Sequence, residues 1–243
     1  MDNLILSKGA TLFNGDVREL KLVGGFSNNV FECNRNGEIF ILKFYLSTKY
    51  KKESVKAELD WISYLHKSGV NVTAPLPSIN GKKMEIIRGN NNEECYVLAF
   101  EKANGAFIDT SNTDKWNEKF FYNWGKTLGK LHSLSKTYKP SGESIKKQEW
   151  NKGLLFTSKI DGISKVVAEK WNTFISDSNK LPKDIHSYGM IHNDLHQKNF
   201  YLDDEDIILF DFGDCEYNWF VYDIAIVIYH ALQTIDENNI QGR

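Results

Sequence analysis

Three side chains in one short stretch of the sequence have the chemistry and the order of a phosphoryl-transfer site. Asp194 and Asn199 stand five residues apart, and Asp211 follows after a short predicted hairpin. An aspartate on a loop can accept the proton of a substrate hydroxyl, whereas an asparagine on that loop and a later aspartate supply the hard oxygen ligands that Mg²⁺ prefers. The Asp-Phe-Gly sequence that begins at Asp211 is weak on its own. The order and spacing of all three residues predict γ-phosphoryl transfer supported by Mg²⁺.

Two histidines offer a competing interpretation of the same stretch. His192 and His196 are four residues apart, the spacing of a zinc-protease helix. That motif requires a glutamate directly after the first histidine, and Asn193 stands there instead. Metalloprotease chemistry is therefore disfavoured.

A phosphoryl-transfer site also needs a lysine on a strand and an acidic partner for it on a helix. Lys43 lies in the apolar run 40–45, where it either faces solvent at a sheet edge or holds nucleotide phosphates. Its predicted partner is Glu58, with Glu53 as the alternative. Glu58 is preferred because it adjoins Leu59, on the side of the helix that the apolar spacing turns inward.

The first hundred residues are predicted to form a small antiparallel sheet that carries one helix. An Asn-Gly pair separates β-rich runs at 30–33 and 38–44, which is a strong hairpin signal. The apolar spacing of 50–67 predicts a helix. Two more strands are predicted at 83–87 and 94–100. The loop at 24–28, rich in glycine and asparagine, offers backbone N–H groups to phosphate oxygens.

The remainder of the chain is predicted to be mainly helical. One helix ends near residue 135, and a second, near 163–176, has an apolar face at Val167, Trp171 and Phe174. Short strands are predicted at 199–202 and 207–210. The segment 222–235 is apolar on most faces, which predicts a buried helix.

The strand-rich first part and the helical remainder predict an α+β fold of two domains, and the composition supplies a sizeable core for it. Hydrophobic residues make up 41% of the 243 positions and aromatic residues 13%, which excludes wholesale disorder. A shift in composition near 102–105 places the domain boundary between 1–103 and 104–243.

Charge and cysteine usage narrow the choice of partner and compartment. Thirty basic and 32 acidic side chains give a net charge of −2, so nothing points to nucleic acid or an anionic membrane. The three cysteines form no Cys-x-x-Cys pair, which disfavours a disulfide framework or structural zinc. The start of the chain does not read as a signal peptide, and no apolar stretch is long enough to span a bilayer. We therefore expect a cytoplasmic protein.

The stretch around Asp194 resembles the catalytic loop of the aminoglycoside phosphotransferase and choline kinase family, which shares the bilobal protein-kinase-like fold. That loop typically reads His-Gly-Asp-Leu-His-Pro-Gly-Asn, and residues 192–199 read His-Asn-Asp-Leu-His-Gln-Lys-Asn. Protein kinases usually carry lysine two residues after the aspartate, where this chain has His196, which favours a small-molecule kinase. The resemblance is strongest over 185–226.

The resemblance implies a role for each matching residue. Asp194 is expected to be the catalytic base or hydroxyl-orienting group, and Asn199 and Asp211 are expected to bind Mg²⁺. His192 and Asp223 are expected to brace the catalytic loop. The residues expected to bind ATP are Lys43, Glu58, Gly25, Ser27, Glu101 and Ala103. Within that set, the Glu101 carbonyl and the Ala103 amide would meet the purine edge.

The chain departs from the family pattern in two ways. Asn193 replaces a glycine, and Gln197-Lys198 replaces Pro-Gly, so the loop backbone is expected to be less pre-set. Family members also often continue with further helices that line the acceptor pocket. We therefore expect an open acceptor side unless a further segment or another subunit completes it.

The leading hypothesis is a kinase that transfers the ATP γ-phosphoryl group to a hydroxyl of a small polar molecule. The family suggests an aminoglycoside, a choline-like or homoserine-like molecule, or a sugar as acceptor. Seven side chains are candidates for binding the acceptor, and the alternative for each is a role in the solvated surface or in packing. They are Asp214, Glu216, Glu143, Glu149, Tyr217, Trp219 and Trp150. A second hypothesis is a non-catalytic nucleotide-binding pseudokinase. A protein kinase is disfavoured because fewer than ten residues separate Gly213 from Tyr222.

Overall fold

An antiparallel sheet forms the amino-terminal part of the chain in a computed structural model that describes residues 1–25, 27–90, 92–142, 145–153, 156 and 162–234. Its strands are β1 (Lys21–Gly24), β2 (Val30–Arg35), β3 (Glu38–Leu46), β4 (Pro75–Leu76), β5 (Met84–Arg88) and β6 (Glu94–Glu101). The strand order is β1-β2-β3-β6-β4, and β5 pairs with β6 on the same side as β4. The predicted sheet is confirmed.

The β2–β3 hairpin sets the position of Lys43. Asn36 and Gly37 form its two-residue turn with φ of 54° and 91°, the left-handed pair that a tight hairpin requires. The resulting register pairs Lys43 with Val30 on one side and with Leu98 of β6 on the other. Lys43 therefore lies in the middle of the sheet instead of at its edge.

Five α-helices and two small sheets are the other main elements of the part of the chain that the structure describes. The helices are α1 (Asn3–Leu12), α2 (Lys52–Lys67), α3 (Glu118–Ser135), α4 (Lys165–Ser178) and α5 (Phe220–Leu232). The first small sheet pairs β7 (Tyr188–Ile191) with β10 (Glu216–Trp219), and the second pairs β8 (Phe200–Asp203) with β9 (Asp206–Leu209). None of the described helices is both long and apolar enough to cross a membrane.

Helix α1 corrects the prediction that the first part of the chain carries one helix. The Asp2 side chain accepts a hydrogen bond from the Leu4 amide at 2.9 Å and so caps the helix. Ile5 and Ala10 are fully buried against the sheet. The helix is short and buries only a few residues, so the apolar spacing in its sequence is weak. The capping Asp2 is the sequence signal that could have indicated it.

The apolar faces of the last two helices also differ from the prediction. Helix α5 buries Phe220 and Asp223, but six of its other large apolar side chains are 42–69% exposed. On α4, Val167 and Phe174 are about half exposed. Apolar composition predicts a helix with buried faces, yet burial depends on which element packs against each face. The described residues cover α5 on one side, where it contacts β7 and β10, and residue 235 lies outside them.

The main hydrophobic core is continuous across the predicted domain boundary. One cluster joins Trp61 of α2 and Leu98 of β6 to Trp124 of α3 and Phe200 of β8. A second cluster packs α1 against the sheet. The boundary at 103/104, two residues beyond the end of β6, stays a prediction.

Candidate active site

The predicted catalytic loop runs from the end of β7 to the start of β8, and it brings Asp194 and Asn199 into contact. The side-chain nitrogen of Asn199 donates to the backbone carbonyl oxygen of Asp194 at 2.7 Å and to Asp194 Oδ2 at 2.8 Å. These two bonds fix the orientation of the Asp194 carboxylate. They also turn the Asn199 amide oxygen away from Asp194.

Asp223 of α5 anchors the start of this loop. Its carboxylate is fully buried and accepts the backbone N–H groups of His192 at 3.2 Å and Asn193 at 2.9 Å. It also lies 3.0 Å from His132 Nε2 on α3. His192 Nε2 in turn lies 3.2 Å from the Phe210 carbonyl oxygen. The loop is thus tied to α3, α5 and the residue before Asp211.

Asn193 occupies a backbone position that explains why the family has glycine there. Its φ is 70°, in the left-handed region that asparagine tolerates better than most residues. The Asn193 side chain also donates to the Asp214 carbonyl at 3.0 Å. The substitution therefore retains the turn and links the catalytic loop to the segment after Asp211.

The structure excludes the interpretation in which Lys43 faces solvent at a sheet edge. The side chain is buried, and its Nζ lies 2.7 Å from Asp211 Oδ1 and 3.4 Å from Glu58 Oε1. The alternative partner Glu53 is exposed. Burial alone would lower the pKa of Lys43, but the neighbouring carboxylates, chiefly Glu58, raise that pKa well above its usual value. The charge of Lys43 lowers the pKa of Asp211, so both groups are ionised at neutral pH.

A second buried lysine, which the sequence did not indicate, contacts the backbone just after Asp211. Lys147 Nζ donates to the Gly213 carbonyl at 2.6 Å, and the side chain is buried. Its charge lowers the pKa of both Asp214 and Glu216, against the larger effect of their burial. Lys147 lies in the polar stretch 135–151, which resembles an ordinary loop in the sequence, so its burial is visible only in the structure.

Asn199 and Asp211 have the donor chemistry that Mg²⁺ requires. Burial raises the pKa of Asp214, and the nearby charges of Asp211 and Asp194 raise it further, so a cation beside these carboxylates would relieve their repulsion. In the described part of the chain, no three His, Cys, Asp or Glu side chains are grouped to hold a metal by themselves. Mg²⁺ commonly takes one or two protein ligands and completes its shell with phosphates and water. The Asn199 amide oxygen and the Asp211 carboxylate fit that pattern.

Glu216 predicts a pH dependence of stability. Burial raises its pKa to about 7, so the folded state keeps a proton that the unfolded chain releases near pH 4.5. The contribution of Glu216 to stability is therefore fully present below pH 4.5 and is lost as pH rises to about 7, a change of about 3 kcal/mol. Glu216→Gln removes this loss, so we expect the variant to melt well above the wild type at pH 8 and close to it at pH 5. An equal difference in melting temperature at both pH values would contradict the assignment.

The predicted phosphate loop lies between β1 and β2, next to Lys43. Gly25 has a φ of 85°, and a side chain there would meet Asn29 Oδ1 at 2.3 Å. Asn29 is buried and holds the loop to β3, because its side chain donates to the Phe44 carbonyl at 2.9 Å. Ser27 lies within the same loop, and Phe26 lies outside the described residues. Sequence reasoning missed Asn29.

The predicted purine-binding segment is followed in the chain by Phe107, whose exposed ring packs with two partly buried aromatic rings. Glu101 ends β6, and Ala103 lies two residues further along. Phe107 is 53% exposed, and its ring centroid lies 4.7 Å from that of Tyr201, which lies 5.0 Å from that of Phe210. Exposed aromatic faces beside a polar site suit a planar ligand. Tyr201 and Phe210 belong to the β8–β9 hairpin, and only the fold brings Phe107 to them.

Most of the predicted acceptor-binding side chains are already engaged elsewhere. Trp150 and Trp219 are buried with ring centroids 5.2 Å apart, so they serve packing. Glu149 forms an ion pair with Lys183 at 3.2 Å. Glu143 lies outside the described residues. Among the predicted acids, Asp214 has a pKa that burial raises and that the charges of Asp211 and Asp194 raise further.

Comparison with known proteins identifies the family. The sequence model of the Phosphotransferase enzyme family matches residues 19–241. The chain belongs to this phosphotransferase family. Membership confirms the resemblance first indicated by residues 192–199. A curated relative, the amicoumacin kinase of Bacillus subtilis (strain 168), is 33% identical over 230 residues, which cover 94% of this chain and 68% of the relative.

Solved structures confirm the predicted fold of this phosphotransferase. An amicoumacin kinase in complex with AMP-PNP, Ca²⁺ and Ami has a TM-score of 0.88 and 28% identity, covering 96% of this chain and 70% of that one. The choline kinase of Streptococcus pneumoniae has a TM-score of 0.60 and 14% identity, covering 98% and 77%. The second likeness concerns the fold alone. The first is to a protein solved with a nucleotide analogue and a divalent metal.

Proposed function

We propose that this phosphotransferase moves the γ-phosphoryl group of ATP to a hydroxyl of a small polar acceptor, with Mg²⁺ bound by Asn199 and Asp211. One observation carries the proposal. The buried Lys43 contacts both Glu58 and Asp211, which come from distant parts of the chain. This is the arrangement expected of a phosphate-binding lysine, its helix acid and a metal-binding acid in a kinase site. Membership of the phosphotransferase family supports the same reaction.

The geometry suggests what each side chain does during transfer. Asp194, held by Asn199, orients the acceptor hydroxyl and accepts its proton as the hydroxyl oxygen bonds to the γ-phosphorus and ADP leaves. Lys43 binds the nucleotide phosphates from its position on β3, in the middle of the sheet. Bound Mg²⁺ would offset the negative charge of the phosphates. Lys147 holds the backbone just after Asp211, and Asp223 holds the backbone just before Asp194.

We assign the nucleotide base to the cleft between the predicted domains 1–103 and 104–243. The backbone of Glu101 and Ala103 would meet the purine edge, as the family resemblance implies. The exposed ring of Phe107, backed by Tyr201 and Phe210, offers an apolar face to the same base. The loop with Gly25 and Ser27 would then cover the phosphates beside Lys43.

For the acceptor, we propose amicoumacin as the first candidate. It is the substrate named for the relative that is 33% identical, and the aligned region covers 94% of this chain. Other acceptors, such as choline or aminoglycosides, are named for solved structures that share only the fold, at 12–14% identity.

A coupled assay of ADP release tests the proposal. Purified protein with ATP and Mg²⁺ is offered amicoumacin, choline, homoserine, sugars and aminoglycosides in parallel, and mass spectrometry checks each product for one added phosphoryl group. We expect a phosphorylated product with at least one acceptor and none without Mg²⁺. Nucleotide binding measured by calorimetry, with no product from any acceptor, would instead favour the pseudokinase hypothesis.

A further inference from the structure

Tyr45 has a buried hydroxyl group that has no role in the proposed reaction. It lies two residues after Lys43 on β3, so both side chains leave the strand on the same face. Its hydroxyl lies 2.7 Å from Glu58 Oε1 and 2.8 Å from Oε2, and both residues are almost completely buried. The hydroxyl therefore donates to the Glu58 carboxylate from a fixed position.

Tyr45 is a closer partner of Glu58 than Lys43 is. Lys43 Nζ lies 3.4 Å from Glu58 Oε1 and only 2.7 Å from Asp211 Oδ1, so it is closer to the predicted metal ligand than to Glu58. The same Nζ lies 5.0 Å from the centroid of the Tyr45 ring. The ring and the hydroxyl of one residue thus contact both members of the Lys43–Glu58 pair.

We propose that Tyr45 is a positioning residue that keeps Glu58 in place while Lys43 binds the nucleotide phosphates. A buried carboxylate is costly when it loses its partners. If Lys43 were its sole partner, movement of Nζ towards a phosphate would leave the Glu58 charge uncompensated. Tyr45 supplies a hydrogen bond that does not move with Lys43. Lys43 can therefore bind the nucleotide phosphates while the buried Glu58 carboxylate keeps a partner.

This inference rests on the proposed function, because it assigns Lys43 to the nucleotide. The test is Tyr45→Phe, which retains the ring and removes the hydroxyl. We expect the dissociation constant for AMP-PNP with Mg²⁺, measured by calorimetry, and the KM for ATP to rise about tenfold. The kcat should fall by less than threefold. Tyr96→Phe is the matched control, since Tyr96 is a buried tyrosine paired with Tyr45 on β6, and it should leave both constants unchanged.

A double-mutant cycle with Glu58→Gln separates positioning from a purely structural role. If Tyr45 acts through Glu58, then Tyr45→Phe added to Glu58→Gln should change the AMP-PNP dissociation constant by less than twofold. The same tenfold loss in both backgrounds, or an unchanged constant in Tyr45→Phe, would overturn the inference. The double variant has no unpaired buried carboxylate, so it decides the question even where Tyr45→Phe fails to fold. Absence of turnover in the wild type would refute the proposed function, but the binding constants would still test Tyr45.

Discussion

Asp194→Asn is expected to lower kcat by about 10²–10⁴-fold, the usual contribution of a general base. The variant keeps the side-chain size and one oxygen that can accept the hydrogen bond from Asn199. The loop should therefore retain its shape, and the KM for ATP should stay within about threefold of the wild type. ADP release under saturating ATP and acceptor measures the change. The loss follows because an amide cannot take the proton of the acceptor hydroxyl.

Glu205→Gln provides the matched control for this prediction. Glu205 lies on the β8–β9 turn close by in the chain, and its carboxylate forms an exposed ion pair with Lys119. Exposed pairs contribute little, so its turnover should equal that of the wild type. Wild-type turnover in Asp194→Asn would refute the role of Asp194 and the reaction mechanism built on it.

Asp211→Asn is expected to have the second large effect, a loss of turnover on the order of 10³-fold. A metal ion contributes several kcal/mol to the charge stabilisation of the transition state, and this variant removes its carboxylate ligand. Lys43 also loses its closest partner, at 2.7 Å, so the nucleotide phosphates should be held less precisely. Calorimetry should show that Mg²⁺ no longer strengthens AMP-PNP binding, a readout that does not depend on turnover.

Asp206→Asn on β9 is the control, because Asp206 is exposed and lies outside the site. It should retain the full effect of Mg²⁺ on AMP-PNP binding. If Asp211→Asn also retained that effect, Asp211 would not be a metal ligand, and the metal would have to be assigned to other residues.

The hairpin that carries Lys43 was predictable because its determinants are local. An Asn-Gly turn between two β-rich runs defines the register without reference to the rest of the fold. The spacing of Asp194, Asn199 and Asp211 was equally informative, because the catalytic loop and the following hairpin are continuous in sequence. Helix α5 shows the opposite case, since its apolar composition predicted burial and six of its large side chains are substantially exposed.

The sequence by itself predicted the phosphotransferase family, the fold class and the main candidate residues. The residues of the catalytic loop and Asp211 follow from residue types at short, fixed separations, and the fold class follows from the resemblance that those residues carry. Only the tertiary structure decided that Lys43 is buried and that Glu58, not Glu53, is its partner. It alone revealed Tyr45, Lys147, Asn29 and the ring of Phe107 beside the site. These residues act through contacts between segments far apart in the chain, and no local pattern encodes which distant segment a side chain will meet.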